Sequence, residues 1–488
     1  MGGNAAAHRA HRSHAGASGD GTGGRSAAVP MSQPWELSLS DASAAIASGH
    51  LSPVELIDAT LHRIERVEPR VHAWARVTAD ASRAAARTLA DRAAPGTAPG
   101  PLYGIPVGVK DIFYTDGVET SCGSKIMAGF VPSYDATSVA RLRRAGAVIL
   151  GKTHTTEFAS FDPSPARNPW ALEHTPGGSS SGSAAALAAR MCHGALGSQT
   201  SGSILRPSAF CGVVGLKPTF GRVSRYGVHP LAWSLDHPGP MARTVRDVAM
   251  LFDAIAGPDP NDPSTISSPP APGATGTLDD ERGREAAVRG LRVGVPDRYF
   301  TDGLDPEGAA AYGEALRVLG DLGCRVENVR LPELFEAAMD AHELIHNTEA
   351  AAVHTDTYRA RPGDYGHKLR AVIETGFHVP APAYVRSQQI RTLLIEAMRE
   401  LLQDVDVLAT PTAPGPAPPG LGSTGSPVYN RPFSFLGFPS VTVPCGFTTS
   451  GLPLGLQLGG RPFEEVTILR VAAAYETATK WGARSPDL

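Results

Sequence analysis

The chain has 488 residues, 42% hydrophobic and 19% charged, with a formal net charge of −4. That balance supports a sizeable buried core and gives no general attraction to nucleic acid. No run of 18 apolar residues occurs, which excludes a membrane-spanning helix.

Residues 1–30 are mostly Ala, Gly, Ser, His and Arg without an apolar stretch, so a disordered tail is expected, and Met31 offers an alternative start. From Ser52, S-P-V-E supplies an N-cap, a proline at the first helical position and a glutamate three residues after the cap. Leu56, Ile57, Leu61, Ile64 and Val67 follow at helical spacing, which predicts an amphipathic helix. A second, alanine-rich helix is expected from about Thr78 to Arg92, ending in the turn-rich A-A-P-G-T-A-P-G-P. Short apolar runs suited to strands lie at Ile105–Val109, Ala147–Leu150 and Leu291–Val295, with a helix at Ala136–Ala145. This alternation argues for an α/β fold with a largely parallel sheet covered by helices on both faces. The Pro-, Asp- and Ser-rich stretch Gly257–Ala286 reads equally as a domain boundary or as a long surface loop.

The five cysteines, Cys122, Cys192, Cys211, Cys324 and Cys445, are odd in number and lack C-x-x-C pairing, so reduced, buried thiols and a cytoplasmic setting are expected.

T-P-G-G-S-S-S-G-S-A-A-A-L-A-A, Thr175–Ala189, follows a strand-like V-I-L-G-K-T and passes into a strong helix former, so it is a packed loop and no linker. It lacks the Lys-[ST] of a phosphate-binding P-loop. Two pattern matches are decoys: G-x-S-x-G at Gly178–Gly182 lies in a Ser/Gly run, and G-x-G-x-x-G at Gly420–Gly425 follows prolines instead of a strand. A second Gly/Ser loop, G-S-Q-T-S-G-S-I-L-R-P, spans Gly197–Pro207, and G-I-P-V-G-V-K-D places a lone lysine, Lys110, at the end of an apolar run.

These three motifs occur in the order and spacing of the amidase signature family, which the chain resembles from about Ser52 to its end. Gly215–Gly227, Ser234–Met241, Asp406–Thr412 and Gly451–Leu458 are similar to it as well. The resemblance implies one three-layer α/β/α domain over residues 31–488 with a mixed, mostly parallel central sheet. Residues 31–95 would form N-terminal helices and 258–286 a variable loop. It also implies roles: Lys110 as catalytic lysine, Ser179 as bridging serine after a cis peptide, and Ser203 as nucleophile. No cofactor or metal is implied.

The chemistry suits those residues. An amide needs an activated nucleophile, a proton for its leaving nitrogen and a place for the oxyanion. No histidine falls in the three motifs, so Lys110 must be the base, which requires burial to lower its pKa from about 10.4 into the neutral range. Lys110 would take a proton from Ser179, Ser179 one from Ser203, and Ser203 would attack; Ser179 later protonates the leaving amine and water resolves the acyl-enzyme. The N–H groups of Thr200, Ser201, Gly202 and Ser203 are the expected oxyanion hole. Taken singly, Ser179 reads as an N-cap, Ser203 as a turn residue and Lys110-Asp111 as an ion pair.

Ser181, Gln199 and Ser201 depart from the commonest family pattern, and a modified pocket is expected. The nucleophile loop is closer to malonamidase-like members, where Arg206 would meet a substrate carboxylate; the alternative is pairing with Asp236. Gly178, Cys122 and Trp233 are further substrate-binding candidates, and specificity is expected from Cys122–Val131 and the helical stretch His342–Gln389. The leading expectation is a stand-alone hydrolase of a small amide, carbamates and urea-type amides included, that acts without nucleic acid or membrane, with a homodimer left open. The alternatives are the glutaminase subunit of a tRNA-dependent amidotransferase and a catalytically silent binding module.

Overall fold

The computed structural model describes Met1 and residues 33–92, 100–265, 269, 273–278 and 286–488. The expected tail, apart from Met1, and the alternative start at Met31 lie outside the described residues, as do parts of the connector after Arg92 and of the Gly257–Ala286 stretch.

The helix set by Ser52 forms as Pro53–Val71. The Ser52 hydroxyl accepts from the Glu55 N–H at 3.1 Å while the Glu55 carboxylate accepts from the Ser52 N–H at 2.8 Å. Its apolar stripe, Leu56, Ile57, Leu61, Ile64 and Val67, is buried. Ser52→Ala removes one of these reciprocal bonds and should lower stability by about 1 kcal/mol in urea unfolding.

Eleven strands form one sheet: β1 (Trp74–Val77), β2 (Pro106–Lys110), β3 (Val148–Thr153), β4 (Gly194–Gln199), β5 (Val214–Lys217), β6 (His237–Ala242), β7 (Arg292–Pro296), β8 (Arg325–Val329), β9 (Val407–Pro411), β10 (Ser440–Phe447) and β11 (Pro453–Gly459). Their order is β1-β3-β2-β4-β6-β5-β10-β11-β9-β7-β8. Strands before and after the Gly257–Ala286 stretch therefore share the sheet.

The α/β class agrees with expectation, but strand direction needs a correction. Only β2 with β3 and β4, and β7 with β8 and β9, pair in parallel. The six other pairings are antiparallel. Continuous apolar runs signal burial on both faces and carry no information on direction.

Alternation along the strands feeds two cores. Val107 and Val109 of β2, Ile149 of β3 and Leu196 of β4 join the core that includes the helices Thr137–Arg144 and Val245–Ile255. Val148 and Leu150 of β3 and Ala195 of β4 face the opposite core, with Pro53–Val71 and the helix Ser181–Ala188. A third core joins the long helices Ala337–Ala360 and Ala381–Asp404 to the short helix Arg431–Leu436. All five cysteines are free and buried, as expected of small hydrophobes. Among the described residues no helix is long and apolar enough to cross a membrane.

Candidate active site

Strand β2 is buried along its whole length between two parallel neighbours, so its terminal Lys110 is carried into the interior. The Lys110 Nζ donates to Ser179 Oγ at 2.6 Å, to Ser198 Oγ at 2.8 Å and to the Ser198 carbonyl at 3.3 Å. Burial pushes its pKa well below the usual lysine value, against a smaller opposing pull from Asp236 and the Cys122 thiol. Asp111 is not its ion-pair partner. That carboxylate accepts from the Ser121 hydroxyl at 2.6 Å and meets Lys152 Nζ at 3.4 Å.

The loop before helix Ser181–Ala188 presents Ser179. Gly178–Ser179 is a cis peptide, as the resemblance implies. Gly177 sits at φ +81°, and a Cβ there would come within 2.8 Å of Pro207 Cα, so glycine is required for this approach. The Ser180 N–H donates to the Ser203 carbonyl at 3.2 Å, which brings the two Gly/Ser loops together. Ser181, expected to modify the pocket, instead donates to the Gly177 carbonyl at 2.8 Å and is buried.

The second loop is held from three sides. Gln199 Oε1 accepts from the N–H groups of Ile204 and Leu205 at 2.9 and 3.0 Å, and Gln199 Nε2 donates to Ser434 Oγ at 3.0 Å. The Thr200 hydroxyl donates to Asp236 at 2.5 Å, and Ser434 Oγ donates to the Ser201 carbonyl at 2.8 Å. His342 Nε2 lies 3.2 Å from the Thr200 carbonyl and 3.4 Å from Ser201 Oγ. With its neighbours so fixed, the backbone N–H groups of Thr200, Ser201, Gly202 and Ser203 donate to no protein acceptor among the described residues. Four donors without acceptors on consecutive residues can receive a developing oxyanion. The Ser203 side chain is largely buried, and its hydroxyl makes no hydrogen bond among the described residues.

The other candidates fall differently. Arg206 neither pairs with Asp236 nor offers its terminal nitrogens to a carboxylate. Its Nη2 donates to the Gly178 carbonyl at 2.6 Å and to Thr424 Oγ1 at 3.0 Å, and its Nη1 donates to the Gly425 carbonyl at 2.6 Å. Burial pulls its pKa down to about 9. Asp236 is occupied by Thr200 and by the Leu231 and Ala232 N–H groups at 2.8 and 3.0 Å. Cys122 is fully buried, and burial pushes its thiol pKa up. Trp233 is 59% exposed, with its ring under the Arg225 guanidinium at 4.3 Å.

Two cavities flank the loop Gly197–Pro207. One, of about 190 Å³, is lined by Ser198, Asp236, Trp233 and apolar groups such as Ile112 and Leu231; the other, of about 250 Å³, reaches Ser201. Sequence reasoning missed Ser198 as a partner of Lys110, although it lies inside the quoted loop. It also missed His342 and Asp236 as anchors of that loop, because they come from distant segments.

The buried Lys110 amine thus meets the hydroxyls of Ser179 and Ser198, and Ser203 lies in the adjoining loop. The family model described as Amidase matches residues 55–469. The chain is 43% identical to the A-subunit of the glutamyl-tRNA(Gln) amidotransferase of Roseiflexus sp. (strain RS-1), over 93% of this chain and 98% of that one. It superposes on the peptide amidase of Stenotrophomonas maltophilia with a TM-score of 0.80 at 32% identity, covering 92% of this chain and 98% of that one. The corresponding A-subunit of the Thermotoga maritima glutamyl-tRNA(Gln) amidotransferase gives 0.75 at 32% identity, over 91% and 95%. The chain belongs to the amidase signature family.

Proposed function

We propose that residues 31–488 act as one amidohydrolase unit in which Ser203 attacks a carboxamide carbonyl. Neutral Lys110 accepts the proton of Ser179, Ser179 that of Ser203, and the N–H groups of Thr200, Ser201, Gly202 and Ser203 receive the oxyanion. The Ser203–acyl ester forms as Ser179 returns a proton to the departing nitrogen, and water then hydrolyses it by the same relay. The observation that carries this reading is the buried Lys110 amine 2.6 Å from Ser179 Oγ.

The names of the curated relatives support a particular form, a subunit of a tRNA-dependent amidotransferase; in that form the amide is glutamine and the released ammonia passes to partner subunits. We place this reading ahead of a stand-alone small-amide hydrolase. The second reading is kept because the superposition is better on the peptide amidase than on the amidotransferase chain, 0.80 against 0.75.

A fluorophosphonate probe should label Ser203, with labelling absent in Ser203→Ala and strongly reduced in Lys110→Ala. Undiminished labelling of Lys110→Ala would refute the relay. Glutamine-dependent ammonia release, rising when the amidotransferase partner subunits are added, separates the two forms; rapid turnover of peptide amides with no response to partners favours the second.

A further inference from the structure

Asp236 lies just before β6, opposite the end of β4, where Gln199 pairs with His237. Its Oδ1 accepts from the Thr200 hydroxyl at 2.5 Å, and its Oδ2 accepts from the Leu231 and Ala232 N–H groups at 2.8 and 3.0 Å. The segment that supplies those N–H groups is itself fixed. The Asp236 N–H donates back to the Ala232 carbonyl at 3.0 Å, the Ser234 N–H and hydroxyl donate to Glu349 at 2.8 and 2.7 Å, and Arg391 Nη2 donates to the Ser234 carbonyl at 2.9 Å. A hydrogen bond to a carboxylate held this firmly restricts Thr200, whose N–H is the first of the four donors without acceptors.

The same carboxylate is close to the base. Asp236 and Ser198 line one cavity of about 190 Å³, and Ser198 Oγ accepts from Lys110 Nζ at 2.8 Å. Among the charges acting on Lys110, Asp236 exerts the largest pull toward the protonated form, ahead of the Cys122 thiol. Burial pushes the Asp236 carboxyl up, while Thr200, the two N–H groups and Arg225 oppose that rise. Arg225 in turn pairs with Asp262 at 3.5 Å. Burial holds His229 down at about 4 and His237 well below its ordinary value, and it pushes the Cys122 thiol up. Neither histidine nor the thiol therefore changes charge near neutral pH.

We propose that Asp236 is a positioning residue with two outputs: through Thr200 it sets the oxyanion donors, and through its negative charge it acts on the Lys110 amine. The inference rests on the reading that Ser203 attacks with Lys110 as base. Two variants separate the outputs. Thr200→Val removes the hydrogen bond and leaves the carboxylate. Asp236→Asn removes the charge and keeps the shape, since the amide can donate to the Thr200 hydroxyl while its oxygen accepts from the two N–H groups. Because the anion favours protonated Lys110, its loss lowers the pKa of the amine, and the acid-side fall in reactivity moves to lower pH.

The rate constant for fluorophosphonate labelling of the full-length chain, followed from about pH 5 to about pH 9, reads both outputs. Thr200→Val should label about tenfold more slowly at its pH optimum with its acid limb unmoved, and Thr200→Ser, which keeps the hydroxyl, should recover most of that loss. Asp236→Asn should move the acid limb down by about half a pH unit or more. A wild-type labelling rate in Thr200→Val, or an unmoved acid limb in Asp236→Asn with an intact thermal midpoint, overturns the proposal. If Asp236→Asn does not fold, equal labelling rates in Thr200→Val and Thr200→Ser overturn it, because a loss that ignores the hydroxyl comes from packing alone. Absence of Ser203 labelling in the wild-type chain would instead refute the nucleophile, so the two failures give different results.

Discussion

Lys110→Met should lower kcat/KM by about a thousandfold or more while raising conformational stability at neutral pH. The activity loss follows because no second base is at hand: Ser179 and Ser198 are the side chains that bond Nζ, and both are hydroxyls. The gain in stability follows from linkage. Burial places the folded-state pKa of Lys110 well below its ordinary value, so the unfolded chain binds this proton more tightly than the folded one. Between the depressed folded pKa and about 10.4, stability therefore rises with pH, and it is lost as pH falls toward the folded value. Lys152 and Lys217 are also buried with lowered pKa values, so the contribution of Lys110 is read from the difference between wild type and Lys110→Met. In wild type, kcat/KM should fall on the acid side as Lys110 takes up its proton. Ser203→Ala should be as inactive as the double variant with Lys110→Met, because residues that act as one unit do not add. A lysine variant with nearly full activity, or one less stable than wild type at neutral pH, would show that the buried amine is not the base.

Arg206→Met should lower stability by about 3 kcal/mol in urea unfolding and reduce kcat with it. The guanidinium ties three stretches together: Gly178 before Ser179, Thr424 and Gly425 at the end of the Gly420–Gly425 stretch, and its own helix Leu205–Cys211. Methionine fills a similar volume but leaves the buried Gly178 carbonyl and the part-buried Gly425 carbonyl without these donors, at a cost of about 1–3 kcal/mol for the buried one and less for the other, partly offset because no uncompensated cation need then be buried. Arg206→Lys should recover only part of the loss, since a single ammonium lacks the fork that serves separated acceptors. A change below about 1 kcal/mol, with kcat intact, would mean that Arg206 does not hold the bridging serine in place.

How much of this was readable beforehand differs by element. Helix Pro53–Val71 was legible because the cap and the apolar spacing are both local signals. Lys110 stood out because one cation ends an otherwise apolar strand, and the expected cis bond lies where the family motif puts it. Direction in the sheet was not legible: β5 pairs with β10, a neighbour more than 200 residues later, and nothing in either run encodes the orientation of the other. Arg206 was misread because two of its three acceptors are carbonyls, Gly178 and Gly425, and a carbonyl leaves no trace in residue identity. His342 escaped for a related reason, since only the folded chain brings it beside Ser201.

The position of β10 and β11 in the sheet bears on how the chain matures. Both strands come from residues 440–459, yet they sit in the interior of the strand order, with β5 on one side and β9 on the other. A ribosome delivers these two strands after the other nine. Until they emerge, the two halves carry open edges that invite wrong partners, so nascent chains lacking residues 440–459 should need chaperone protection and should aggregate when released early.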